Sequence, residues 1–379
     1  MAINGRAIRA CLGVLASAIA FAIFAQDLQA DDYARVNLPI PVEIESRQVR
    51  APFYLGLDLR MIHLPFRQFA LTAGAKAGVK DNDPADKLFV TAIKAAQAGD
   101  ASQFASVWGA PNEMKSAGAT TIAMAGDNGP DAWMKMIRAN SDLNHLEIVT
   151  EARVGSGRVF IFDSKIQGQP LRSAFYVGPD RNGHSKVTAV SSSTTVPALI
   201  LNCFQAAQTK PQLYDPLAAV NTAYRMSLPV DGAAQADTGS VMLEFNGSFQ
   251  PPAPIVQLFR DANEAYKKGD FKTVESYFTA GSQRRVNPWL EKLAAGNSVR
   301  TPSILPPVEH IQFVLTADPV YIVFSAPPPM PGISPEWSYQ FVIQEDGVYK
   351  LANFSYSGTL DDLLQNKDLF TKQHLREAR

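Results

Sequence analysis

The chain has 379 residues, of which 46% are hydrophobic, and a formal net charge of −1. A nearly neutral surface excludes partners that are held by bulk charge, so we expect no binding of nucleic acid or of anionic membranes. The length is sufficient for two domains.

Residues 1–30 have the layout of a secretory signal peptide. Two arginines precede an uncharged run, Ala10–Ala25, and cleavage is predicted after Ala25 or Ala30. No later stretch approaches the ~20 apolar residues of a membrane span, so we expect a periplasmic or secreted protein without an integral span. The remaining chain has 33 basic residues, 35 acidic residues and one cysteine, Cys203, which excludes an internal disulfide.

Two regions of the chain predict β structure of their own. Residues 31–82 contain strand-like stretches such as VEIES and FYLGLDLRMIHL and predict an N-terminal β extension. Residues 201–250 predict a polar connector rich in Pro and Gly, with the strand-like run SVMLEFNGSF. A further stretch of the connector, YRMSLPV, can pair with the N-terminal strands and add to this β structure.

One helical segment occurs twice. Residues 88–108 match residues 258–278 at an offset of 170, with Gly99–Asp100 falling on Gly269–Asp270. Apolar residues recur at helical spacing on both sides of the break. Glycine suits the left-handed residue after a helix, and aspartate suits the N-cap of the next one. Each copy therefore predicts two helices folded back as a hairpin.

The segments that follow also occur twice. A short third helix is predicted at 129–140 and at 287–297, each with a proline near its start. Strand-like stretches then match at offsets between 161 and 166. They are 144–154 with 309–319, 158–164 with 319–325, and 174–193 with 340–357.

The repeats divide the chain into predicted domains. The first unit covers 83–200, the second covers 251–366, and 367–379 is a polar tail. The predicted fold class is α+β, with two duplicated units of helices packed on a curved antiparallel sheet and additional N-terminal and linker β structure.

This order of helices and strands resembles the nuclear-transport-factor-two-like (cystatin-like cone) superfamily over 83–196 and 252–365. The resemblance implies a pocket between the sheet and the helices. In enzymatic relatives an Asp or His in the pocket is the general base, with a Tyr or Asp donor opposite. Independently of the resemblance, duplication commonly replaces a homodimer by a pseudo-dimer, so the chain is expected to be a monomeric pseudo-dimer.

Strict alternation along the first repeated strand assigns its charged side chains to the outer face. Leu146, Ile148, Thr150, Ala152 and Val154 are predicted to face the helices, as are Ile311, Phe313 and Leu315 in the second copy. Four polar residues of the outer face are interface candidates: His145, Glu147, Arg153 and His310. Glu151 belongs to the same outward row. No metal site and no cofactor are predicted, because the five histidines form no cluster with ligand spacing.

Aromatic residues are the remaining site candidates. Six of them are predicted to line an apolar ligand pocket: Trp108, Trp133, Tyr176, Tyr277, Trp289 and Tyr339. The expected function is non-catalytic binding of a small apolar molecule or of an envelope protein. The alternative is a hydrolase- or isomerase-like enzyme with an acid or base inside one cone and Tyr176, Arg285 or Tyr339 as the donor.

Overall fold

The computed structural model describes the fold in sixteen stretches of the chain. They are residues 33–44, 47–49, 53–75, 84–108, 134–135, 138–139, 142–166, 168–179, 183–190, 196–211, 224–229, 240–298, 301–317, 319–328, 338–352 and 376–377. The fold class is α+β, as predicted, with seven α-helices in these stretches packed on antiparallel sheets. The chain divides into two compact units. The first comprises 1–38, 56–212 and 227–241, and the second 39–55, 213–226 and 242–379.

The strands are numbered in chain order. They are β1 (Ala34–Pro39), β2 (Val42–Ile44), β3 (Arg47–Val49), β4 (Phe53–Pro65), β5 (Glu147–Val154), β6 (Gly157–Ile166), β7 (Gln169–Pro179), β8 (Ser185–Val190), β9 (Tyr224–Pro229), β10 (Ser240–Phe245), β11 (Gly247–Ser248), β12 (Ile311–Ala317), β13 (Val320–Ser325), β14 (Ser338–Glu345), β15 (Val348–Ala352) and β16 (Arg376–Glu377).

The α-helices are α1 (Phe66–Ala75), α2 (Pro84–Ala98), α3 (Ala101–Val107), α4 (Val196–Thr209), α5 (Ala253–Lys268), α6 (Phe271–Ser276) and α7 (Ala280–Ala294). Short 3-10 turns at Leu143–His145 and Val308–His310 lead into β5 and β12. The third helix predicted at 129–140 lies largely outside the described residues.

The first unit has three layers. Its sheet runs β4-β5-β6-β7-β8, each strand antiparallel to the next, and β1 also pairs with β4. Helices α1 to α3 pack on one face, where Phe89 stacks on Phe160 at 4.5 Å between ring centroids. On the other face Arg172 donates to Gln208 of α4, and its guanidinium carbon lies 5.7 Å from the ring centre of Phe204. The sequence pattern does not predict the apolar helix α4.

The second unit has a five-stranded sheet in the order β11-β12-β13-β14-β15. Helices α5 to α7 pack on one face of it, with Phe259, Val323 and Val342 in their shared core. The hairpin β2-β3 belongs to this unit, and β16, β9, β10 and β4 are hydrogen-bonded neighbours in that order.

The duplicated helical hairpin is confirmed in atomic detail. Gly99 and Gly269 have φ values of 73° and 77°, in the left-handed region that glycine adopts readily. The amides of the next residues, Asp100 and Asp270, donate to carbonyls five residues back, at 2.9 and 3.0 Å. Their carboxylates accept from the amides three residues on, those of Gln103 at 2.9 Å and Thr273 at 3.1 Å. Each hairpin thus has a glycine stop followed by an aspartate N-cap.

The two hairpins also join their sheets in the same way. Trp108, at the end of α3, makes a parallel bridge to Val187 of β8. Phe278, just after α6, makes the corresponding bridge to Leu351 of β15. The duplication therefore extends from the helix caps to the attachment of helices to strands.

Each unit has a β-bulge at the same place, and it overturns the orientation predicted from strict alternation. The register of β5 on β6 shifts between Ile148 and Thr150, and that of β12 on β13 shifts between Ile311 and Phe313. A bulge adds one unpaired residue, so every side chain beyond it changes face.

In the first unit the bulge turns Glu151 and Arg153 toward the helices. Glu151 lies directly opposite Phe160, whose ring packs under α2. Directly opposed residues in an antiparallel pair project to the same face. The prediction that these charged side chains face outward and that Thr150, Ala152 and Val154 face the helices is wrong.

In the second unit the same reversal turns Val314 toward the helices and Phe313 away from them. Val314 belongs to the core under α5 to α7. The ring of Phe313 lies 4.9 Å from that of Phe249, 5.5 Å from that of Tyr224 and 6.1 Å from that of Phe245. The predicted helix-facing position of Phe313 and Leu315 is therefore also wrong.

We expect Asp100→Ala and Asp270→Ala each to lower the free energy of unfolding by about 1 kcal/mol, because each removes an N-cap acceptor. Urea denaturation of the two variants and the parent chain measures this. Ser102→Ala, an exposed change in the same turn, is the control and should stay within about 0.5 kcal/mol. Equal stability of all four proteins would contradict the capping role.

Candidate functional site

A group of charged and aromatic side chains occupies the helix-facing side of the first unit. Its members come from the residue before β1, from β4, from the first turn of α2, and from β5 and β6. We call it the arginine cluster, and it consists of Tyr33, Arg60, Asp86, Glu151, Arg153 and Arg158.

Glu151 is the centre of this cluster. Its side chain is completely buried, and its two carboxylate oxygens accept hydrogen bonds from the Tyr33 hydroxyl and from an Arg60 amino group. The Nε atom of Arg158 lies 3.0 Å from the same oxygen that Tyr33 contacts. Burying a carboxylate is costly unless it is paired, and here both oxygens have cationic or hydroxyl partners.

Arg60 joins Glu151 to the helix layer. It lies opposite Glu151 in the β4–β5 register, and its amino group is 3.6 Å from the Asp86 carboxylate. Burial lowers the pKa of Arg60, but the charge of Glu151, with that of Asp86, outweighs it and raises the pKa. Asp86 is in the first turn of α2, where the helix dipole favours a negative charge.

Tyr33 is held in the cluster by both its ring and its hydroxyl. The guanidinium carbon of Arg153 lies 3.6 Å from the ring centre, and those of Arg60 and Arg158 lie at 5.6 and 5.8 Å. A cation over an aromatic face is attracted by the ring quadrupole. Burial, together with the negative charge of Glu151, raises the pKa of Tyr33 above its ordinary value. The hydroxyl therefore keeps the proton that it donates to Glu151.

The cluster has more positive than negative side chains. Three guanidinium groups accompany two carboxylates, so the side chains carry a surplus of one positive charge when all are ionised. Arg60 contacts both carboxylates, and the guanidinium group of Arg153 lies against the ring of Tyr33.

Among the residues predicted as interface candidates, Arg153 belongs to the arginine cluster. His145 is exposed, and its Nδ1 lies 2.7 Å from Asp142. This hydrogen bond lowers the pKa of Asp142. Glu147 is half-exposed, and one of its carboxylate oxygens lies 3.6 Å from Nδ1 of His63. The backbone carbonyl of His310 accepts a hydrogen bond from the amide of Ala326.

The predicted ligand-lining aromatics of the first unit lie on opposite faces of its sheet. Trp108 is buried on the helix side, with its ring 5.2 Å from that of Phe104. Tyr176 is completely buried on the opposite face, where its ring is so close to Gly157 and Gly178 that no side chain fits at either position. Burial raises the pKa of Tyr176 to about 12. Trp133 lies outside the described residues.

The predicted aromatics of the second unit are also divided between two faces. Trp289 stacks on Tyr266 at 6.0 Å, and Tyr277 packs beside the same helix-side core, with its pKa raised chiefly by burial. Tyr339 contacts Phe341 on the face away from the helices. Arg285, a predicted donor, is exposed on α7.

The sequence contains a signal for the cluster that strict alternation overlooks. Ile148 and Val149 are consecutive apolar residues, and this doublet interrupts a two-residue period at the bulge of β5. In β12 the alternation of Ile311, Gln312 and Phe313 continues across the bulge, so the second copy carries no such signal. Tyr33, Arg60 and Arg158 are distant in sequence from Glu151, and only the tertiary fold brings them together.

No protein-family model, no curated protein and no solved structure matches the chain. Within the stretches that the structure describes, no helix is long and apolar enough to cross a membrane. The same stretches hold no group of three or more His, Cys, Asp or Glu side chains placed to bind a metal ion.

The contact between Tyr33 and Glu151 predicts a particular pH dependence. At neutral pH, Tyr33→Phe should lower the free energy of unfolding by about 1–3 kcal/mol, because Glu151 loses a buried donor. The raised pKa of Tyr33 means that above pH 10 the unfolded chain loses this proton before the folded chain does. The contribution of this contact to the stability of the parent chain is therefore fully present below pH 10 and decreases as the pH rises above 10.

The stability difference between the parent and Tyr33→Phe should accordingly shrink as pH rises above 10. Urea denaturation of both proteins from pH 7 to 11 measures it. A difference that is absent at neutral pH, or constant throughout, would contradict the proposed contact.

Proposed function

We propose that this is an exported, non-catalytic binding protein with two related α+β units. Its first unit binds an aromatic group, from a small apolar molecule or from a protein partner in the cell envelope, at the arginine cluster. The observation that carries the proposal is the placement of Tyr33. Its ring lies against Arg153 and its hydroxyl donates to the buried Glu151. An aromatic ligand with a hydrogen-bond donor would make the same contacts.

The interior of the first unit supports binding at the cluster rather than deeper in the unit. The rings of Phe89, Phe160, Phe162 and Phe175 fill the space between helices and sheet, with centroids 4.5 to 6.2 Å from that of Phe89. Arg153 is exposed, so the cluster adjoins solvent. The same proposal includes three further points: the chain belongs to the cone superfamily, it is exported through the signal peptide, and it is a monomer.

An acid–base enzyme is the second candidate, and one observation favours it. Glu151 is an acid on the helix-facing side within hydrogen-bond reach of a tyrosine and two arginines. This is the arrangement expected of a cone enzyme. The binding function is preferred because each oxygen of Glu151 already accepts a hydrogen bond and neither is free to take a proton from a substrate.

Removal of the Tyr33 side chain should create a vacant aromatic site. Tyr33→Ala is expected to lower the thermal midpoint, and p-cresol, which matches the missing side chain, should raise it again in a saturable manner. The rise should be larger in Tyr33→Ala than in the parent chain, because a ligand of the parent chain has to displace the Tyr33 ring. Differential scanning fluorimetry across a p-cresol titration measures both.

Two variants serve as controls for this rescue. Tyr33→Ala combined with Arg153→Ala should lose the additional rise, because the stacking guanidinium is gone. Tyr349→Ala, which removes a half-buried tyrosine of the second unit, should show no rise beyond that of the parent. If p-cresol raises the midpoint equally in all four proteins, the arginine cluster is not an aromatic site.

A further inference from the structure

The two units have the same backbone plan but different side chains in the space between helices and sheet. The register pairs Glu151 with Phe160 in the first unit and Val314 with Val323 at the same place in the second. It likewise pairs Phe160 with Phe175, and Val323 with Gln340. Phe162 and Phe175 of the first unit therefore correspond to Ser325 and Gln340 of the second.

This correspondence differs from the match of the two sequences by two residues on β6 and by one residue on β7. Aligned by sequence, AFYV (174–177) falls on QFVI (340–343), which matches Phe175 with Phe341. In the structure Phe175 belongs to the helix-side core of the first unit. Phe341 pairs with Ile322, on the face away from the helices of the second unit. Only the pairing of the strands shows that Ser325 and Gln340 take the places of Phe162 and Phe175.

The two replaced phenylalanines are central to the first unit's packing. Their rings meet edge to face at 5.0 Å, and each lies within 6.2 Å of the ring of Phe89. Phe259 occupies the position of Phe89 in the second unit, at the repeat offset of 170. It packs there against the smaller Val323, in a core with fewer rings on the sheet side.

The replacements leave polar atoms buried without partners. Ser325 is 1% exposed, and its Oγ has no hydrogen-bond partner among the described residues; the same holds for the buried Oε1 of Gln340. An unsatisfied buried polar group lowers the free energy of unfolding. The second unit has two such groups on neighbouring strands, so we expect them to have a role other than stability. Gln340 is partly buried as a residue, so the pair lies just below the surface near the start of β14.

We infer that the second unit has a ligand site that the first unit lacks, in which Ser325 and Gln340 bind the hydroxyl of an uncharged, ring-sized molecule. Ser325 can donate and accept, and Gln340 Oε1 accepts, so a single hydroxyl group satisfies both. The ring takes the place of the two missing phenylalanine rings beside Phe259, Val323 and Val342. This site is separate from the arginine cluster and does not depend on it.

The test compares phenol with toluene, which has a similar ring and no hydroxyl. Phenol should bind the parent chain about tenfold more tightly than toluene, corresponding to about 1.4 kcal/mol for the hydroxyl contacts. Ser325→Ala and Gln340→Leu should each abolish that preference and each raise the thermal midpoint of the unliganded protein. Ser325→Phe, which restores the ring of the first unit, should abolish binding of both molecules. Isothermal titration and thermal midpoints give the two readouts.

Two controls separate this site from the rest of the protein. Ser164→Ala removes a buried serine of the first unit whose hydroxyl does have a partner, the Leu171 carbonyl, and should keep the phenol preference. Arg153→Ala should also keep it, so failure of the arginine cluster and failure of this site are distinguishable. Equal affinity for phenol and toluene in the parent, no binding of either, or a preference that survives in both Ser325→Ala and Gln340→Leu would overturn the inference.

Discussion

One unpaired residue in the first long strand after each 3-10 turn determines which side chains face the helices. The bulge at Ile148–Thr150 places Glu151 opposite Phe160, on the side where Arg60 and Asp86 can reach it. Without this residue, Glu151 would lie on the other face and could not pair with Arg60. The first unit's charged site therefore depends on a local irregularity of the backbone.

The same irregularity is present in the second unit, but it brings different residues inward. There the position of Glu151 is occupied by Val314, and the position of Arg158 by Tyr321, whose hydroxyl lies 3.5 Å from that of Tyr349. Charged groups on this side of the first unit are replaced by apolar and neutral polar groups in the second. The shared backbone supports two interiors of different chemistry.

Much of the fold could be predicted from the sequence because local signals repeat. The glycine stop and aspartate cap near Gly99 and Gly269 require no tertiary information, and the α+β class follows from the order of helices and strands. The sequence pattern does not predict helix α4, because the nearly continuous apolar run of this helix lies at the boundary between the predicted first unit and the connector. It is buried on the sheet face that was expected to be exposed.

Little of the candidate site could be predicted, for a physical reason. Side-chain direction along a strand follows a two-residue period only while the register is unbroken, and a single bulge reverses it. Strict alternation consequently places Glu151 on the outer face, and nothing in the local sequence links it to Tyr33, Arg60 or Arg158. Apolar doublets such as Ile148–Val149 are the feature of the sequence that could have indicated the reversal.

The most direct test of the account is the reactivity of single cysteines along β5. The chain expressed without residues 1–30 has only Cys203, which is completely buried, so labelling by a thiol reagent reports on each introduced cysteine. Glu147→Cys and Arg153→Cys should react rapidly, whereas Val149→Cys and Glu151→Cys should be protected. Rapid reaction at all four positions would show an unbroken strand with one solvent-facing row and would contradict the bulge on which the site depends.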